Sequence, residues 1–288
     1  KIHSLSLIGN KLRTFDLSQA KGLELAYLSS NKMNSITLDN PNLWNLDLSN
    51  NELESVSLDR LPALEQLWLN ANKLTKVDVS QCPNLSVLNV VGNRLKFSTM
   101  PLPSNNGRPF NRYSYNLQAP LDVKCVDGKV DLSSEAVVGG EPTTYRWFDG
   151  NVQYVDGELQ GEELTAGDEY TVENGVTTLK LTKRYEDLVC VMTNAKFPKL
   201  LLHTKHIRFI PDATGIEGVN ADNTDTFIKV VEGGIVVEAA TGSTVNVYGI
   251  NGGLVQKAKM NATSQSFSLP KGAYVVTVNN KVAKVMVK

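Results

Sequence analysis

The stretch LWNLDLSNNELESVSL, residues Leu43 to Leu58, decides the fold. Leu43, Leu46, Leu48 and Asn51 set a frame LxxLxLxxN, and Leu53, Val56 and Leu58 continue it. The frame returns one unit later at Leu64, Leu67, Leu69 and Asn72. Followed outward in both directions, five asparagines keep one phase, Asn10, Asn31, Asn51, Asn72 and Asn93, in steps of 21, 20, 21 and 21 residues. Pro41, Pro62 and Pro83 each stand ten residues before one of them. A unit this short cannot bury its own apolar face, so the copies must stack. The LxL spacing places two side chains on one face of a strand, and stacked strands make a parallel sheet with those leucines inside. The asparagine amide both donates and accepts. It can satisfy backbone groups where the chain leaves the strand, which makes the five asparagines structural rather than ligand contacts. The second half of each unit (Phe15-Asp16-Leu17, Ile36-Thr37-Leu38, Val56-Ser57-Leu58, Val77-Asp78-Val79) alternates with period 2. That predicts extended or 3₁₀ backbone on the outer side, with no α-helix.

Five in-phase copies resemble the leucine-rich repeat family, whose pattern is LxxLxLxxNxL, and its short bacterial repeats in particular. The register fails after Leu95. The stretch Ser98 to Pro120 holds four prolines, an NNG turn signal and Phe110, Tyr113 and Tyr115. It reads as a terminal cap plus a connection, with the aromatics packed in the cap.

From Leu121 to about Ile210 the chain changes to short alternating runs: KVDLSS, TTYRWFDG, TTLKLTK, DLVCVMTN and KLLLHTKHIRFI. These predict an all-β sandwich. Trp147, the LKL run, Asp187 and Cys190 resemble the middle of an immunoglobulin-like domain. The resemblance is incomplete. Leu132 stands where a first cysteine would be, and Leu188 stands where a corner tyrosine would be. Two readings of Cys125 and Cys190 stay open, a bridge or two buried thiols, the latter favoured.

After about Asp212 a Gly/Asn/Asp/Thr-rich link precedes six or seven short strands, from TFIKVV to KVAKVMVK. They predict a second small antiparallel sandwich. The strings VNVYGINGGLV and SLPKGAYVVTVNNKVAKVMVK are similar to type IX secretion sorting domains. That resemblance implies export across a Gram-negative outer membrane. The fold class expected is therefore mainly β: a leucine-rich repeat solenoid (1–118), an Ig-like sandwich (119–211), and a link plus a sorting-type sandwich (212–288). The chain opens KIHSLSLIGN within folded sequence, so a leader or further repeats are expected ahead of it.

Composition narrows the function. The 288 residues carry 29 Lys plus Arg and 30 Asp plus Glu, a net charge of −1. That balance argues against a dedicated nucleic-acid binder. No apolar run reaches the ~18 residues that span a bilayer. With 41% hydrophobic and 20% charged residues the chain is too apolar to be disordered. Catalytic patterns are missing from the sequence. His203 and His206, three apart in a predicted strand, face opposite ways. Cys82 reads as a core filler. The string DNTD at Asp222 to Asp225 lacks the glycine and distal glutamate of a calcium loop. Neither a catalytic residue nor a metal site nor a cofactor is expected.

What the solenoid offers is a face. Around the inward leucines, outward columns read Ser6, Tyr27, Asp47, Trp68, Asn89; Ser4, Leu25, Asn45, Gln66, Val87; and Ile8, Ser29, Ser49, Asn70, Val91. Aromatic anchors among amides and a carboxylate are interface chemistry. The candidate contacts on this concave face are Leu25, Tyr27, Asn45, Asp47, Gln66, Trp68, Asn70 and Asn89. The expected function is non-enzymatic binding or adhesion to a protein, on a host or another cell, at the bacterial surface or outside it. The array joined to a sandwich spacer resembles the internalin group. Glycan capture is the alternative, since the same side chains stack on sugars.

Overall fold

Each repeat contributes one three-residue strand, and these strands stack in register into a parallel sheet. In the computed structural model, which describes residues 2–211, 226–279 and 281–287, the sheet has six strands. They are Ser4–Ser6, Leu25–Tyr27, Asn45–Asp47, Gln66–Trp68, Val87–Asn89 and Arg112–Ser114. The central residue of each strand points inward, and Ala26, Leu46, Leu67 and Leu88 are fully buried. On the outer side Thr14–Asp16 pairs in parallel with Ser35–Thr37, and the later outer turns have no regular strand. Among the described residues there is no α-helix, only 3₁₀ turns at Phe97–Thr99 and Ser133–Glu135.

The asparagine ladder is built as the chemistry of the amide requires. Asn51 Nδ2 donates to Leu48 O of its own rung and to Leu28 O of the rung before, both at 3.1 Å. Its Oδ1 accepts the Met33 amide at 3.0 Å. Asn31, Asn72 and Asn93 repeat the pattern. The residue before each ladder position takes a left-handed backbone: Gly9, Ser30, Asn50, Ala71, Gly92 and Leu117, with φ between 55° and 73°. This turn swings the chain off the strand. Glycine tolerates it without strain and alanine does not.

The sixth strand lies inside the stretch read as a cap. Phe110, Tyr113, Tyr115 and Gln118 occupy the places of the three leucines and the asparagine. Gln118 Oε1 accepts the Leu95 amide at 3.0 Å, and its Nε2 donates to Val90 O at 2.9 Å and Tyr115 O at 2.8 Å. The longer glutamine does the asparagine's work. The step from Asn93 is 25 residues rather than 21, because a small hairpin, Ser104–Asn105 with Arg108–Pro109, is inserted.

The cap aromatics stack in series, Phe110 on Tyr113, Tyr113 on Tyr115, with centroids 5.0 and 4.8 Å apart. The series ends on Phe197, 5.4 Å from Tyr115 and 5.8 Å from Phe97. Phe197 belongs to the following sandwich, so the solenoid and that sandwich share one hydrophobic core. The buried Glu135 carboxylate adds a polar clasp: Ser98 donates through its amide at 2.9 Å and its hydroxyl at 2.6 Å. The chain falls into two compact units, Lys1–Ile210 and Pro211–Lys288.

The middle sandwich faces two antiparallel sheets. One runs Cys125–Val126, Lys129–Asp131, Val176–Leu179, Tyr170–Glu173 in spatial order. The other is built on Glu141–Val155 and Tyr185–Asn194, with Glu158–Glu163, Leu202–His203 and Ile207–Phe209 beside them. Trp147 is fully buried and pairs with Cys190 on the next strand. Its indole N–H donates across to Thr177 Oγ1 at 3.1 Å. No disulfide joins the three cysteines. Leu132 and Leu188 fill the core instead.

The second unit has seven strands among its described residues, where the alternation predicts six or seven. They form one sheet of Phe227–Val231, Gly234–Glu238 and Ser264–Ser268, and another of Leu254–Lys259, Thr244–Gly249, Gly272–Val278 and Lys281–Val287. Its own core holds Ile235, Val247, Phe267 and Val276. The Asp222 to Asp225 string lies outside the described residues.

Candidate functional site

The parallel register turns the sequence columns into rows. Leu25, Asn45, Gln66 and Val87 are direct neighbours, and Arg112 joins them from the sixth strand. Tyr27, Asp47, Trp68 and Asn89 form the next row, joined by Ser114. Strands in a sheet lie about 4.8 Å apart, so Asp47 stands between Tyr27 and Trp68, whose backbones are roughly 10 Å apart. Seven of the eight predicted contacts are thus brought onto one sheet face, and Asn70 lies two residues beyond the strand Gln66–Trp68.

Their environments differ. Leu25, Tyr27, Asp47, Gln66, Trp68, Asn70 and Asn89 are half-buried. Asn45 is buried, at 6% exposure. Its Nδ2 reaches Gln66 Oε1 at 3.5 Å, and its Oδ1 has no hydrogen-bond partner. Asp47 Oδ1 accepts the Ser49 amide at 2.9 Å and the Ser49 hydroxyl at 2.6 Å. Asn89 Oδ1 accepts the Val91 amide at 3.2 Å. Both side chains therefore also hold the strand exit, a local role that short polar residues commonly take. The second oxygen of Asp47 takes no hydrogen bond among the described residues. Ser29 and Ser49 of the third column are buried.

Arg112 and Ser114 extend the face beyond what the repeat phase reveals. The frame FxxYxYxxQ from Phe110 to Gln118 carries the signal, with aromatics for leucines and glutamine for asparagine.

The remaining chemistry-bearing residues are dispersed. His3 bonds Glu24 at 2.9 Å, His203 bonds Thr204 O at 3.3 Å, and His206 bonds Asp187 at 2.6 Å. Among the described residues no cluster of His, Cys, Asp or Glu could hold a metal ion, and no helix is long and apolar enough to cross a membrane. Burial pushes the Cys82 thiol up to about 11, and nearby Asp59 and Asp78 add to the shift. Burial also raises the Cys190 thiol. Neither is a nucleophile near neutral pH. A cleft of about 620 Å³ opens in the middle sandwich beside Thr143, Tyr145, Tyr170 and Thr171, away from the repeat face.

No family model matches the chain, and no curated protein matches it. Among solved structures it is similar to the functional domain of InlJ from Listeria monocytogenes, which includes a cysteine ladder. The two share 19% identity with a TM-score of 0.47, over 70% of this chain and 42% of that one. This chain therefore spans less than half the length of that protein.

Proposed function

We propose that this chain is a binding or adhesion protein whose concave repeat face holds a protein partner at or beyond the cell surface, without catalysis. One observation carries the reading: Tyr27 and Trp68 stand half-exposed on either side of Asp47, in register, on a sheet face with amide neighbours. Aromatic anchors around a partly desolvated carboxylate are where binding energy concentrates in interfaces. The face is broad and shallow, which suits a folded partner better than a small molecule.

The middle sandwich serves as a stiff base in this reading. The aromatic series from Phe110 to Phe197 and the Glu135 clasp support it, because both fix the sandwich to the last repeat. Its strand order also supports an immunoglobulin-like assignment. Cys125–Val126, Lys129–Asp131, Val176–Leu179 and Tyr170–Glu173 form one sheet, and Glu141–Val155, Tyr185–Asn194 and Ile207–Phe209 form the centre of the other, which is how such a domain divides its strands. The VNVYGINGG and LPKGAYVVTV strings support reading the C-terminal sandwich as a sorting element, for a chain that works on a Gram-negative surface or in its medium.

Capture with the immobilised chain tests the function. Changing both Tyr27 and Trp68 to Ala should weaken a captured protein partner more than 30-fold, since each anchor contributes about 2 kcal/mol or more. Unchanged affinity moves the site off this face. Glycan capture is supported by the same aromatic and amide pair. A saturable oligosaccharide that binds wild type and fails with Trp68→Ala would favour it over a protein.

A further inference from the structure

The near-zero net charge conceals a segregation along the solenoid. Two outward positions flank the Leu or Met that follows each ladder asparagine, a residue that is buried at Met33, Leu53, Leu74 and Leu95 and partly buried at Leu12. The position before it reads Lys11, Lys32, Glu52, Lys73 and Arg94, and the position after it reads Arg13, Asn34, Glu54, Thr75 and Lys96, so six cations stand against two carboxylates. Backbone bonds stack them one rung on the next: Lys32 N to Leu12 O at 2.9 Å, Glu52 N to Met33 O at 2.9 Å, Lys73 N to Leu53 O at 2.8 Å, Arg94 N to Leu74 O at 2.9 Å. The other acids of the repeats lie elsewhere: Asp16, Asp39, Asp59 and Asp78 on the outer turns, Glu24 and Glu65 ahead of the strands, and Asp47 on the sheet face.

Pairing follows the same division. On the outer turns Lys21 and Arg60 both engage Asp39. On the flank Lys73 engages Glu52 at 3.0 Å, and among the described residues Lys11, Arg13, Lys32, Arg94 and Lys96 make no ion pair. The Glu52 carboxyl is held below its usual range by Lys73 first, then by Lys32 and Arg13, so the cations act on one another's neighbourhood. Lys11 with Lys32, and Lys73 with Arg94, put like charges on adjacent rungs on either side of Glu52, and a polyanion would relieve their repulsion.

We infer that this flank binds a linear acidic polysaccharide, its sulfate or carboxylate groups laid along the column of Lys11, Lys32, Lys73 and Arg94, with Arg13 and Lys96 at the two ends of the column beside it. The strip is about 7 Å wide and roughly 19 Å long, from the rise of a strand and the spacing of rungs. That is the footprint of a single extended chain. The side chains between the columns are aliphatic, with none of the aromatic platforms on which single-stranded nucleic acid stacks. A duplex would overhang the strip and meet the acids on the adjoining ridges.

The test uses the whole chain with size-fractionated heparin and polygalacturonate, against neutral dextran, single-stranded DNA and duplex DNA. The acidic polysaccharides should bind at low salt, with log K falling against log salt at a slope of about −3 for four net charges. Dextran should not bind, and either DNA should bind at least tenfold more weakly. Lys32→Gln/Lys73→Gln/Arg94→Gln should lose at least tenfold, while Glu52→Gln/Glu54→Gln should gain at least threefold. The C-terminal unit is also lysine-rich, so Lys257→Gln/Lys259→Gln/Lys284→Gln is the control and should change affinity less than twofold. Tyr27→Ala/Trp68→Ala should leave the polysaccharide bound, which separates this edge from the sheet face. The inference is overturned by DNA binding as tight as heparin, by no heparin binding at low salt, or by loss that follows the C-terminal lysines.

Discussion

Replacing Asn72 by Ala tests the ladder in its middle. The amide of Asn72 donates to Leu48 O at 2.9 Å and Leu69 O at 3.1 Å, and accepts the Leu53 amide at 3.0 Å. Truncation does not orphan all three. Leu48 O still accepts from Asn51 Nδ2 at 3.1 Å, and Leu69 O still accepts from Asn93 Nδ2 at 2.9 Å. Only the Leu53 N–H is left buried and unpaired, which costs about 1–3 kcal/mol. The small void and lost donor bonds bring the total to about 3 kcal/mol. Asn10 is the internal control. It is exposed, and its acceptor Leu7 O keeps Asn31 Nδ2 at 2.9 Å, so Asn10→Ala should cost under ~0.5 kcal/mol. All three tryptophans (Trp44, Trp68, Trp147) lie in the first unit, so fluorescence reports its unfolding alone. Asn72→Ala should lower that midpoint by about 6–12 °C, and Asn10→Ala by no more than about 2 °C. Equal shifts for the two would refute the shared-carbonyl reasoning.

Further outcomes are expected at other positions. Ala71→Gly should stabilise the first unit by about 0.5–1 kcal/mol, because Ala71 holds φ 55°. Gly92→Ala should destabilise by about 1 kcal/mol although the nearest atom to a new Cβ is 3.7 Å away, and urea midpoints would show both signs. Glu135→Ala leaves the Ser98 amide and hydroxyl without their acceptor and should cost about 3 kcal/mol in the same assay; a neutral result would mean the clasp is not a joint. In native protein near pH 8 only Cys125 should react readily with a thiol reagent, and all three cysteines after denaturation. The folded Cys82 thiol deprotonates at about 11 rather than 9.0, so its contribution is intact below pH 9 and is lost as pH rises towards 11. Two fast native thiols would contradict the burial.

The solenoid was legible because its frame repeats five times without a break, and a repeat fixes both register and facing. Hence the rows through Tyr27, Asp47 and Trp68 could be written down before any coordinates. Three features could not be read this way. The sixth strand substitutes Tyr113, Tyr115 and Gln118 for the expected types and sits behind a hairpin insertion, so phase alone misses it. The strand Glu158–Glu163 is almost wholly exposed and shows no apolar alternation; it forms because Asp156-Gly157, with φ 52° and 89°, makes a tight hairpin turn. The shared core at Phe197 joins residues a hundred apart in the chain, and no spacing rule reports such a contact. Charge was misleading in a different way. Summed over the chain it nearly cancels, yet in the repeats the fold gathers six cations against two carboxylates on one flank and puts the other seven carboxylates elsewhere.

The central claim is that the concave repeat face is where a protein partner is held. Hydrogen exchange of the chain with and without its captured partner measures this most directly. The account predicts new protection in the peptides covering 25–29, 45–49, 66–70 and 87–91, lost in Tyr27→Ala/Trp68→Ala. Protection confined to the outer turns or to the sandwich domains, with the repeat strands unchanged, would contradict it.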